Sequence, residues 1–171
     1  GPMREKMRLY WSHCGTTRAR SAEALGVPPL RTYEDVSALG KEVVARGFTA
    51  LKTNIVIPGD PADVYSPGFA LDGSGTDGTV SAEILNRTEK LIGTFRDAVG
   101  PDVGIALDLN YNFRTDGAQR IAKLLEQFNM QWVEYDNWDP IALRQIKDST
   151  STPIASCESL CTTKQYRPFL E

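Results

Sequence analysis

Val103-Gly104-Ile105-Ala106-Leu107-Asp108 is a short apolar run ending in a carboxylate, and the chain repeats the device twice. Met130-Gln131-Trp132-Val133-Glu134 and Thr152-Pro153-Ile154-Ala155-Ser156-Cys157-Glu158 follow, 26 residues separating Asp108 from Glu134 and 24 separating Glu134 from Glu158. A strand, a helix and two loops fill about that length, since a βαβ unit takes roughly 30 residues. Three successive parallel strands would present Asp108, Glu134 and Glu158 at their carboxyl ends, on one rim of a sheet. Converging carboxylates repel unless a cation sits between them, and hard oxygen ligands select Mg²⁺, Mn²⁺ or Ca²⁺. The pattern predicts a divalent metal site at the top of a β/α barrel or sheet.

Working outward, Met7 to Cys14 reads as a strand ending in polar residues, and Gly15 to Leu30 as a connection. Thr32-Tyr33-Glu34-Asp35 is a capping box with Asp in the acidic position. Val36, Leu39, Val43 and Val44 continue as a helical stripe that Gly47 stops, and Phe48 to Asn54 is the second strand. Ile55 to Gly78, rich in Gly, Pro and Asp, has no periodicity and reads as a lid over the site. Ile84, Leu85, Leu91, Ile92 and Phe95 line a long helix ended by Gly100-Pro101. Ile121, Leu124, Leu125 and Phe128 mark the next helix, and a short one opens near Pro140. The result is five βα units: an α/β chain forming part of a TIM-type (β/α) barrel. Gly73-Ser74-Gly75 lies outside the strand–helix setting that a phosphate or dinucleotide loop requires.

The 171 residues suit one domain and fall short of the ~250 of a complete barrel. Gly1-Pro2-Met3 resembles a cleavage remnant, so residues 1–6 are expected to be a leader and 7–171 a partial barrel. Five strands cannot close an eight-stranded barrel. Unpaired edges then predict a homo-oligomer, and a chain silent in catalysis by itself. A net charge of −3 without a basic run offers nothing to nucleic acid or anionic membranes. Cys14, Cys157 and Cys161 are odd in number and fit reduced thiols, hence a cytoplasmic setting.

The strand ends supply the candidate chemistry. His13 stands at the first, Lys52 and Asn54 at the second, Asp108 and Asn110 at the third, Glu134 and Asp136 at the fourth, Glu158 at the fifth. Residues two apart on a strand share a face, so Lys52 and Asn54 both face the mouth, as do Asp108 and Asn110. A lysine beside a bound metal can hold a carboxylate substrate and stabilise charge developing at the neighbouring carbon. Each residue also has a plain reading: helix cap for a lone carboxylate, solvated charge for Lys52, structural hydrogen bonds for His13, turn former for Asn110.

Phe48-Thr49-Ala50-Leu51-Lys52 and Val99-Gly100-Pro101-Asp102-Val103 leading to Leu107-Asp108-Leu109-Asn110 resemble the enolase superfamily. The branch they resemble is that of mandelate racemase and muconate lactonizing enzyme. Leu125-Glu126-Gln127-Phe128 before Trp132-Val133-Glu134, and Thr152-Pro153-Ile154-Ala155 before Glu158, continue the likeness in order. The resemblance implies a capping domain on a modified β/α barrel. It also implies Mg²⁺ (or Mn²⁺) on Asp108, Glu134 and Glu158, and α-proton abstraction from a carboxylate substrate. Asn54 stands where many members have a second lysine; Lys-x-Asn is similar to some acid-sugar dehydratases. The family's His–Asp base would lie beyond Glu171. The leading expectation is therefore part of an acid-sugar dehydratase acting on a small carboxylate. The alternatives are a non-catalytic metal-binding or assembly module, or a metal-dependent β/α lyase or aldolase of another family.

Overall fold

The structure, a computed structural model, describes residues 3–69 and 78–171. In chain order its elements are α1 (Cys14–Leu25), α2 (Tyr33–Ala45), β1 (Ala50–Thr53), β2 (Val56–Ile57), β3 (Asp63–Val64), α3 (Ala82–Val99), β4 (Gly104–Asp108), α4 (Thr115–Leu124), β5 (Trp132–Glu134), α5 (Pro140–Asp148), β6 (Ile154–Ala155) and α6 (Thr163–Leu170). Strands β1, β4, β5 and β6 form one parallel sheet in that order. This is the partial barrel that the strand–helix alternation predicts.

The sheet is covered on both faces, so successive strand residues are buried without alternation. All four residues of β1 are buried, as are Ile105, Ala106 and Leu107 of β4. The helices start where their caps dictate. Thr32 Oγ1 accepts from Asp35 N, and Asp35 accepts in return from Thr32 N at 2.8 Å, the expected capping box with Asp. Ser81 caps α3, whose buried stripe includes Ile84, Leu91, Ile92 and Phe95, and Gly100 ends it at φ 77°. Helices α2 and α3 pack closely at Gly40, where a Cβ would lie 2.7 Å from that of Ala98.

Three expectations need correction. The first strand shrinks to one parallel bridge, Trp11 to Leu51, in which Trp11 N donates to Ala50 O and Lys52 N to Trp11 O. Cys14, expected at its end, instead opens α1 and is buried. The supposed connection after it is mostly helix α1, whose buried face mixes the polar Thr16 and charged Arg18 with Cys14, Gly15 and Ala22. Arg18 is paired there with Glu42 of α2 at 2.7 Å, so an inward-facing charge hid the period. The stretch from Ile55 is not structureless. Strands β2 and β3 form an antiparallel ribbon with Ile55 and Val56 in the core. The remainder of the expected lid includes residues 70–77, with Gly73-Ser74-Gly75, and these lie outside the described residues.

Candidate metal centre

Register brings the first two carboxylates together. Asp108 and Glu134 are the last residues of adjacent parallel strands and are direct partners across the ladder. Lys52 starts one layer lower, paired with Ala106, and its long side chain climbs to both. Its Nζ lies 3.0 Å from Asp108 Oδ2 and 2.8 Å from Glu134 Oε2, and all three side chains are buried. Burial alone would push the ammonium pKa down. Hydrogen bonds to Glu134 and Asp108, with the attraction of both charges, outweigh it and hold the pKa above its ordinary value. Lys52 is thus a fixed cation.

Asn54 braces this arrangement from the side. Its Nδ2 donates to the Asp108 carbonyl at 3.0 Å, and its Oδ1 accepts from the Thr16 hydroxyl at 2.6 Å. Asn110 takes a left-handed conformation (φ 50°) that aims its N–H at Asp108 Oδ1, 2.9 Å away. Asp108 is held from three directions before any ligand arrives.

The chain continues extended past β5, with Tyr135 N donating to Ala155 O and Asp136 N to Asn110 O. Asp136, two residues beyond Glu134, joins the cluster. Asp108, Glu134 and Asp136 can each offer one oxygen with all three oxygens within 4.8 Å of one another. Asp136 is buried and neither of its oxygens has a hydrogen-bond partner in the protein. Burial, then the charges of Glu158, Glu134 and Asp108, push its carboxyl pKa up to about 6 against the pull of Lys52. The sequence already sets Asp136 beside Glu134 at the fourth strand end but leaves it out of the metal triad, which takes one carboxylate per strand; the two-residue face rule puts it on the same face as Glu134.

Glu158 lies in the turn after β6 and is exposed. It stands outside the tight cluster, yet its charge is the strongest of those acting on Asp136. His13 precedes α1 in a left-handed conformation (φ 51°), and its Nδ1 is buried without a partner. With Thr16, Asn54, Ser66, Phe69 and Asn110 it lines a cleft of about 430 Å³ beside the carboxylates. Ser66 and Phe69 come from the expected lid, which forms a wall of this cleft. Among the described residues, no helix is long and apolar enough to cross a membrane.

Comparison with known proteins agrees with this geometry. Residues 35–171 match the enolase C-terminal domain-like family. D-gluconate dehydratase of Thermoproteus tenax is 32% identical over 132 residues, covering 76% of this chain and 23% of that protein. A D-galactonate dehydratase family member, RspA of Halomonas elongata, is 28% identical over 169 residues, 89% of this chain and 41% of that protein. A crystal structure from Burkholderia xenovorans, provisionally assigned as an L-alanine-DL-glutamate epimerase and bound to magnesium and fumarate, superposes with a TM-score of 0.89 at 34% identity. That match covers 99% of this chain and 42% of the other. The chain spans less than half the length of each of these relatives. With the matched family, the parallel partial barrel and the acidic rim in agreement, this chain belongs to the enolase superfamily, in its mandelate racemase and muconate lactonizing branch.

Proposed function

We propose that this chain carries the metal-and-lysine portion of an active site that removes the α-proton of a carboxylate substrate, in the service of acid-sugar dehydration. The observation carrying this reading is the Lys52 ammonium fixed between Asp108 and Glu134, beside a buried carboxylate with no protein partner. Asp108, Glu134 and Glu158 would hold Mg²⁺ or Mn²⁺. The donor set fits, being all carboxylate oxygen, with more negative charge than one lysine can balance. When bound, the cation supplies Lewis-acid stabilisation of the charge that develops on the substrate carboxylate.

The chain's own groups do the rest. Loss of the proton on the carbon next to the carboxylate leaves its electron pair to delocalise into that carboxylate. Lys52, kept cationic, adds a second positive charge where this negative charge accumulates. Its raised pKa makes it a poor proton acceptor, so its role is electrostatic. Asn54 and Asn110 keep Asp108 in place. His13, in the cleft wall with its Nδ1 unpartnered, is placed to hydrogen-bond substrate and is a candidate proton acceptor. The dehydratase names of the relatives support a sugar acid with a hydroxyl on the β-carbon, which would leave as water.

Calorimetric titration with Mn²⁺ tests the metal, with Glu134→Gln expected to weaken binding at least tenfold. Equal binding by both proteins would remove the proposal. A dehydration assay over a panel of sugar acids, on the longest natural polypeptide containing these residues, tests the substrate class.

A further inference from the structure

Asp136 presents a problem that the three-carboxylate site does not solve. An ionised carboxylate taken out of water without a partner is costly, and buried polar groups almost always find one. Asp136 is 3% exposed and both its oxygens lack a partner. Its backbone N–H is already committed to Asn110 O. The Lys52 ammonium donates to Asp108 and Glu134 and makes no hydrogen bond to Asp136. Nor would protonation satisfy the group, since a carboxylic acid still needs an acceptor for its proton.

The neighbouring oxygens show what would satisfy it. Oxygens of Asp108, Glu134 and Asp136 lie within 4.8 Å of one another. Ligands ~2.1 Å from an octahedral Mg²⁺ are separated by about 3.0 Å when adjacent and about 4.2 Å when opposite. Three carboxylates already gathered to this span need little movement to meet on one ion. We propose that Asp136 is itself an inner-sphere ligand of the divalent cation, alongside Asp108 and Glu134. This rests on the metal-site reading above and adds to it a buried ligand that needs no help from the exposed turn carrying Glu158.

The test separates ligation from charge. Tb³⁺ serves as a luminescent probe, and its lifetimes in H₂O and D₂O count the waters on the bound ion. Asp136→Asn should bring about one additional water onto the ion and weaken Mn²⁺ binding at least tenfold by calorimetry. Should that variant fail to fold by circular dichroism, Asp136→Ser gives the same comparison. Weaker binding with an unchanged water count would mean that Asp136 acts by charge at a distance, and would overturn the inference. So would unchanged binding in Asp136→Asn while Asp108→Asn loses it, leaving the metal site standing without Asp136. Absence of Mn²⁺ binding by the wild type would overturn the metal reading and this inference together.

Discussion

The β4–β5 end of the rim and the β6 end carry the same chemical group in opposite circumstances. Asp108 and Glu134 close interior strands, are ladder partners, and share a buried lysine. Glu158 follows a two-residue edge strand whose residues are only half-buried, and it faces solvent. A strand paired on both sides fixes where its last side chain points. Among the described residues β6 pairs with β5 alone, and the loop after it is shaped by a local turn, with the left-handed Cys157 (φ 78°) and a Leu160 N–H to Cys157 O bond. One end of the site is therefore built in advance, and the other is placed by its own turn.

The sharpest way to break this contrast is to remove the shared cation. Lys52→Met would leave two buried carboxylates facing each other with no counter-charge. Breaking a buried pair in this way costs about 3–5 kcal/mol. Urea unfolding of the metal-free protein should show a loss of that order, and saturating Mg²⁺ should recover part of it. A loss under about 1 kcal/mol would mean that the carboxylates are solvated and the centre is not built in advance.

Next in size is a pH effect confined to the interior end. Asp136 titrates at about 6 in the folded protein, above the ordinary 3.8 of an aspartate. The folded state therefore binds more protons than the unfolded state between these values. Stability from this group is full below pH 4 and is lost as pH rises through 6, by on the order of 3 kcal/mol if the whole shift is realised. Thermal unfolding of metal-free protein from pH 4 to 7 should show the decline, and Asp136→Asn should flatten it. A profile unaltered in the variant would count against a buried, unpartnered Asp136.

A smaller loss is expected at the brace. Asn54→Ala would strip the Asp108 carbonyl and the Thr16 hydroxyl of their partner, costing about 1–3 kcal/mol. Asn54→Asp should fare worse, because it replaces a donor with a charge facing a carbonyl. If urea unfolding shows both variants at wild-type stability, the brace is dispensable.

The same contrast explains what could be read from the chain unaided. Asp108 and Glu134 were legible because a parallel strand writes its burial as an apolar run, and the residue closing that run lands on the rim. Lys52 was legible by the same rule. Helix α1 was not, because its inward face carries Thr16 and Arg18, whose partners Asn54 and Glu42 are distant in sequence. The β2–β3 ribbon was hidden for a related reason: strands of two residues are too short to show a period. Asp136 fell between the two cases, its face predictable from Glu134 but its want of a partner visible only once neighbouring strands were in place.

The smallest stability effect belongs to Glu158, and it sharpens the comparison most. Exposed groups away from specific networks change stability by about 0.5 kcal/mol or less, so Glu158→Gln should unfold in urea almost as wild type does. Its influence should surface at the other end of the rim. The Glu158 charge is the largest electrostatic contribution raising the Asp136 pKa, second only to burial. Removing that charge should move the Asp136 titration toward lower pH, with the direction read from its carboxyl carbon shift by NMR in metal-free protein. Burial and the charges of Glu134 and Asp108 remain, so the value should stay above that of an ordinary aspartate. A titration unmoved by Glu158→Gln would mean that the turn after β6 holds its carboxylate too far away to act on the preassembled half, and would detach Glu158 from the site.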